Sequence, residues 1–205
     1  QYLNVDSWTT IRTTCSFWNE CSNDPLSCYA AKFSWATDRD LKRWVGFFSK
    51  VRHVKFLGGE ISPSSLELIK KSCPFLEGLL LPAERITLNV VHRVLCKWKT
   101  LTDLALVNPS SLDSDGLASL CSMASLRKLL LNKPSSGEAT RVLCSNLCHL
   151  KGLQSLTLMN LNSASVDWPV LAKSLSNLPE LHVLTLTGSW VKDDLFVTSY
   201  DFPAL

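Results

Sequence analysis

Leu101-Thr102-Asp103-Leu104-Ala105-Leu106 and Leu126-Arg127-Lys128-Leu129-Leu130-Leu131 repeat one pattern, 25 residues apart. Each places leucine at a first position and again at +3 and +5. Positions +3 and +5 are two residues apart, so they share one face of an extended strand. Working outward, the spacing recurs upstream as Val51, Val54, Phe56 and as Leu76, Leu79, Leu81. Downstream it recurs as Leu153, Leu156, Leu158 and as Leu181, Leu184, Leu186. The six first positions are separated by 25, 25, 25, 27 and 28 residues. One strand cannot bury such a face alone. Strands stacked side by side in parallel can bury it against a second layer.

The second layer is expected to be helical. Ser62-Pro63 reads as an N-cap followed by proline at the first helical position, and Leu66, Ile69 and Cys73 follow at helical spacing. Later units carry Val90, Val91, Val94 and Leu95, then Leu117 and Leu120, then Val142, Leu143 and Leu147, then Val170, Leu171 and Leu175. Each unit has room for a strand, a turn and a helix. The pattern resembles that of leucine-rich repeats, whose period is ~20–29 residues. The expected fold class is α/β: a curved leucine-rich-repeat solenoid with parallel strands concave and helices convex. A doubly wound α/β domain does not hold so constant a period.

Composition agrees with a folded chain. The 205 residues are 46% hydrophobic and 19% charged, which excludes a disordered class. A net charge of +3 gives no nucleic-acid or membrane footprint, and no apolar run approaches a membrane span. Of 37 leucines only Leu3, Leu26 and Leu41 lie in the first 50 residues, which instead hold four of the seven tryptophans.

Residues 2–44 do not follow the repeat. Trp8, Ile11, Cys15 and Trp18, at steps of three and four, predict a helix that Asp24-Pro25 breaks. Such a segment would cap a solenoid end that otherwise exposes an apolar layer. It resembles an F-box. Tyr2-Leu3-Asn4-Val5 is similar to the family's Tyr-Leu-x-Val stretch, and Ile11-Arg12-Thr13-Thr14-Cys15-Ser16-Phe17-Trp18 to its Leu-Arg-x-x-Cys-x-x-Trp signature. Asn23-Asp24-Pro25-Leu26 then resembles the Asp-Pro-x-Leu that follows. Within the repeats, Ser72-Cys73-Pro74-Phe75-Leu76 and Leu112-Asp113-Ser114-Asp115-Gly116-Leu117 are similar to phrases of F-box leucine-rich-repeat proteins. The expected organisation is a partial F-box-like helical segment over 1–28, a linker or capping repeat over 29–50, and repeats over 51–205. The family's opening Leu-Pro segment is missing before Tyr2, and Leu205 falls near the first position of a seventh unit. The sequence therefore reads as a slice of a longer protein.

The resemblance implies a substrate-recognition subunit of a Skp–cullin–F-box ubiquitin ligase. Leu3, Ile11, Cys15, Trp18, Pro25 and Leu26 occupy motif positions facing a Skp-type adaptor, and the repeats would hold a protein or peptide substrate. From the register alone, residues at +2, +4 and +6 point away from the buried face. Among them Leu80, Pro82, Ala105, Val107 and Leu130 form an apolar cluster, with Arg127 and Lys128 as a basic rim. Exposed apolar patches mark partner sites, and this one predicts a partner with an apolar anchor and acidic flanks.

Eight cysteines invite a disulfide or metal reading. Cys96, Cys121 and Cys148 each lie five residues before the next unit's first leucine, a repeating apolar place where thiols act as small hydrophobes. No Cys-x-x-Cys occurs, so buried free thiols are expected, and no metal. Free thiols and the absence of an Asn-x-Ser/Thr sequon point to the cytoplasm or nucleus. No phosphate-binding glycine loop, zinc-protease motif or nucleophile elbow is present, so neither an enzyme nor a cofactor is expected. A protein-binding repeat scaffold unrelated to ubiquitin remains the alternative reading.

Overall fold

The computed structural model describes residues 3–4, 30–33, 36–44, 49–133, 136–161 and 166–187. By its contacts the chain divides into two compact units, Gln1–Pro82 and Ala83–Leu205. Each is α/β, with parallel strands alternating with helices.

The first unit runs β1 (Leu3–Asn4), β2 (Ala30–Phe33), β3 (Ala36–Thr37), α1 (Asp38–Trp44), β4 (His53–Phe56), β5 (Gly59–Glu60), α2 (Pro63–Ser72) and β6 (Gly78–Pro82). Its main sheet has the order β1-β2-β4-β6, all parallel, and β3 pairs with β5. The capped start of α2 matches the sequence reading: Pro63 opens the helix and the Ser62 hydroxyl accepts from Ser65 N at 3.3 Å. Leu66 and Ile69 are buried beneath it.

The front of the chain corrects an expectation. Residues 2–44 read as outside the regular repeat, with a linker or capping repeat over 29–50, yet β1, β2 and β3 are strands. The register pairs Leu3 with Ala31, Ala31 with Val54 and Phe33 with Phe56, so Ala31 and Phe33 occupy the +3 and +5 places of one more unit. Both are buried, and the Phe33 and Phe56 rings stack with centroids 5.0 Å apart. α1 follows as that unit's helix. Thr37 and Asp40 cap it reciprocally: Thr37 N donates to Asp40 Oδ2 at 3.0 Å and Asp40 N donates to Thr37 Oγ1 at 3.4 Å. Asp38 of α1 accepts from Ser62 N at 2.9 Å, which ties one helix to the start of the next. Burial raises the pKa of this carboxyl, but the hydrogen bonds from Ser62 and Ser65 and the charge of Lys42 together hold the group below its ordinary value. The leucine count missed this strand because alanine and phenylalanine carry its inner face. The helix expected around Trp8, Ile11, Cys15 and Trp18 lies outside the described residues.

The second unit starts with α3 (Leu88–Val90), which continues into a π turn over Val91–Leu95. It goes on through β7 (Asp103–Val107), α4 (Ser114–Leu120), β8 (Lys128–Asn132), α5 (Gly137–Asn146), β9 (Ser155–Met159), α6 (Trp168–Ser176) and β10 (Val183–Thr187). The four strands are parallel, in the order β7-β8-β9-β10. Each of α4, α5 and α6 has a side-chain cap: Asp113 accepts from Gly116 N at 2.8 Å, Ser136 from Ala139 N at 3.1 Å, and Asp167 from Val170 N at 3.1 Å. A cap of this kind contributes about 1 kcal/mol.

The inner face of the sheet follows the +3 and +5 register. Leu104, Leu106, Leu129, Leu131, Leu156 and Leu158 are buried, and so are the first-position residues Leu101, Leu126, Leu153 and Leu181. In β10, Leu184 and Leu186 are only half-buried. Two backbone details repeat with the units. The carbonyl at +1 accepts from two successive amides of the next unit: Thr102 from Arg127 and Lys128, Arg127 from Gln154 and Ser155, and Gln154 from His182 and Val183. At +7 the chain turns through the left-handed region, at Asn108 (φ 53°), Lys133 (φ 57°) and Asn160 (φ 54°). The amides of those residues donate laterally to Asn132, Met159 and Thr187, which extends the ladder past the strand ends.

Candidate functional site

The strands turn one row of side chains inward and leave the other outward, as the two-residue period dictates. In the second unit the outward rows are in lateral register. Asp103, Lys128, Ser155 and Val183 form the first, then Ala105, Leu130, Thr157 and Thr185, then Val107, Asn132, Met159 and Thr187. Ala105, Val107 and Leu130 are all half-buried, and the structure brings these three predicted residues together on adjacent strands. Met159, beside Asn132, extends the apolar ground. Leu80 and Pro82 lie on β6 of the first unit and are likewise half-buried.

The basic rim is more engaged than its sequence suggests. Lys128 Nζ lies 3.3 Å from Asp103 Oδ2, its partner across β7 and β8. Arg127 Nη1 donates to the Gly152 carbonyl at 2.8 Å. A Cβ on Gly152 would come within 1.9 Å of that nitrogen, so the guanidinium fills the space a side chain would take. Arg127 thus links neighbouring units, and Lys128, whose side chain is 61% exposed, makes a surface ion pair with Asp103. Of the expected contact set, the apolar members keep an outward face, and the two cations are exposed while each also contacts a neighbouring unit.

Among the predicted adaptor-facing residues, Leu3 lies in β1. Ile11, Cys15, Trp18, Pro25 and Leu26 lie outside the described residues.

The described cysteines 73, 96, 121, 144 and 148 are free thiols. Cys73, Cys121 and Cys144 are buried, and burial pushes each thiol up to about 12. A thiol held protonated in this way is a poor nucleophile and a poor metal ligand. Among the described residues no group of three His, Cys, Asp or Glu side chains is placed to hold a metal ion. None of the described helices is long and apolar enough to cross a membrane.

One exposed pair has the residue types of a nucleophile and base. His92 Nε2 lies 3.0 Å from Ser119 Oγ. The same hydroxyl donates to the Asp115 carbonyl at 2.7 Å, which ties the pair to the helix backbone. The pair bridges the π turn and α4.

The outward row that sequence reasoning missed is on the first unit. Lys32 of β2 sits opposite Lys55 of β4. Only the +4 place of Lys55 was legible, from the Val51, Val54, Phe56 spacing, because the small Ala31 marks its own strand weakly. No family model matches the chain, and no curated protein matches it.

Proposed function

We propose that the chain is the substrate-recognition part of a Skp–cullin–F-box type ubiquitin ligase, and that its strand–helix units are leucine-rich repeats that bind a protein substrate on the open sheet face. The observation that carries the binding role is the row of half-buried apolar side chains, Ala105, Val107 and Leu130, on a face made by parallel strands in register. Burying such side chains against a partner contributes about 25 cal/mol per Å² of apolar area. The rigid ladder beneath them keeps the ordering cost of binding low. The link to ubiquitin is supported by the resemblance of residues 2–26 to an F-box.

A second reading is a repeat scaffold that binds proteins without any ubiquitin connection. The strand at Leu3–Asn4 favours it, since that segment pairs with β2 as another repeat strand does.

Leu130→Glu abolishes capture of the partner while leaving the circular dichroism spectrum unchanged; unaltered capture refutes binding on this face. A second experiment separates the two readings. Co-purification of the full-length protein with a Skp-type adaptor supports the first reading, and its failure leaves the second.

A further inference from the structure

We infer that the strand-entry end of the second unit binds an acidic protein segment through the ammonium groups of Lys97, Lys99 and Lys151. The inference rests on the reading of the sheet as a protein-binding face. It moves acid recognition from Arg127 and Lys128 to the connections that lead from the helical layer into β7 and β9.

Residues 96–102, 121–127 and 150–154 lead into β7, β8 and β9. They end side by side, because the Thr102 carbonyl accepts from Arg127 and Lys128 and the Arg127 carbonyl accepts from Gln154 and Ser155. Lys99 and Lys151 hold the same place in their units, two residues before Leu101 and Leu153, and Ala124 holds it between them. Strands in a sheet lie ~4.8 Å apart, so two spacings set these lysines about 10 Å from each other. Lys97 stands two residues before Lys99, and all three lysines are exposed. Lys151 Nζ donates to the Asn177 carbonyl at 3.0 Å, which steadies the side chain without cancelling its charge. Arg127, bonded to the Gly152 carbonyl, braces the two neighbouring connections.

The charge around these lysines is one-sided. The three connections hold no Asp or Glu. The carboxylate that follows the first of them is already engaged: Thr102 Oγ1 donates to Asp103 Oδ1 at 3.2 Å, and Lys128 Nζ lies 3.3 Å from Oδ2. Glu180, in the connection into β10, marks the limit of the patch. Acids gather instead at the other end of the strands, where helices begin. Asp113 and Asp167 cap α4 and α6, and Asp115 and Glu138 lie in first turns. The unit is therefore polarised along its strands. Cations grouped within about 10 Å suit a short run of carboxylates. A polyanion long enough to extend over the unit would meet the acidic end, so the fit favours a protein segment over a nucleic acid. The patch borders the first outward row, Asp103, Lys128 and Ser155, so an acidic flank bound there continues into an apolar segment lying on Ala105 and Leu130.

The test is fluorescence anisotropy of the whole chain with a labelled peptide of consecutive glutamates, and with its glutamine counterpart. The acidic peptide binds and the neutral one does not, and binding weakens as salt rises. Lys99→Gln with Lys151→Gln lowers affinity about tenfold, whereas Lys99→Arg with Lys151→Arg retains it. Lys133→Gln with Arg141→Gln removes the same net charge from the other end of the unit and leaves affinity unchanged. Urea unfolding of each variant checks that the fold is kept. Equal binding by the Lys99 and Lys151 glutamine variant, or equal binding of the neutral peptide, overturns the inference. So does an equal loss in the Lys133 and Arg141 variant, which would make net charge the cause. Tighter binding of inorganic phosphate or single-stranded RNA than of the peptide overturns it as well. If Leu130→Glu still abolishes partner capture while the lysine variants bind the peptide normally, only this inference fails. If neither set of variants has an effect, the protein-binding reading fails with it.

Discussion

Replacing Lys133 by glycine should stabilise the protein, although no contact is gained. Lys133 sits at +7 of its unit with φ 57°, the place held by Asn108 and Asn160 in the units on either side. In this left-handed region the Cβ of an ordinary residue crowds the backbone, at a cost of ~1–2 kcal/mol. Asparagine tolerates the region and glycine has no Cβ. The Lys133 side chain is exposed, and its amide bond to Met159 O at 2.9 Å survives the change. Glycine's greater freedom in the unfolded chain takes back roughly 0.4–1 kcal/mol. The net gain is about 0.5–1 kcal/mol. With a urea dependence of about 2 kcal/mol/M, the unfolding midpoint rises by ~0.25–0.5 M. Equilibrium urea unfolding followed by tryptophan fluorescence measures this directly. Asn108→Ala is the control and should lower the midpoint by a similar amount, because it places a Cβ without a local polar partner in the same conformation. A lower midpoint for Lys133→Gly, or no change in both variants, refutes the equivalence of these turns.

Further outcomes follow from the same structure. Leu131→Ala, at a fully buried +5 place in β8, should cost about 2–5 kcal/mol in urea unfolding, whereas Leu130→Ala beside it should cost far less. The three buried thiols at about 12 make stability fall on the alkaline side. The unfolded thiols ionise near 9 while the folded ones stay protonated, so their contribution is intact below that pH and is lost as pH rises from there toward 12. Each thiol contributes a slope of about 1.4 kcal/mol per pH unit in that window, and Cys121→Ala should remove one thiol's share. Native labelling with a maleimide, read by mass spectrometry, should modify half-buried Cys96 and Cys148 before Cys73, Cys121 and Cys144. Arg127→Ala should lower stability by about 1 kcal/mol through the lost bond to Gly152, with little effect on partner affinity.

The strand places of the six units from Val51 onward were legible in the sequence because an inward face must be apolar at every second residue. Leu104 and Leu106, or Leu156 and Leu158, announce themselves by that spacing. The start of α2 was legible because Ser62 and Pro63 each have one strong reason to stand at a helix entrance. The strand at Ala30–Phe33 was legible only as part of a linker or capping repeat, because the small Ala31 marks an inner face weakly. The apolar part of the candidate surface, Ala105, Val107 and Leu130, was readable from register alone. What Arg127 and Lys128 do was not readable, since their partners Gly152 and Asp103 are set by lateral neighbours 25 residues away. The left-handed turn at Lys133 was equally hidden, because lysine carries no signal for that conformation.

The central claim is that this chain recognises substrates for a Skp–cullin–F-box ligase, and the most direct measurement is complex formation by the full-length protein with purified Skp-type adaptor. Size-exclusion chromatography with light scattering reads it. The account predicts a stoichiometric complex of adaptor and full-length protein that Trp18→Ala weakens. Separate elution of the two wild-type proteins would contradict it.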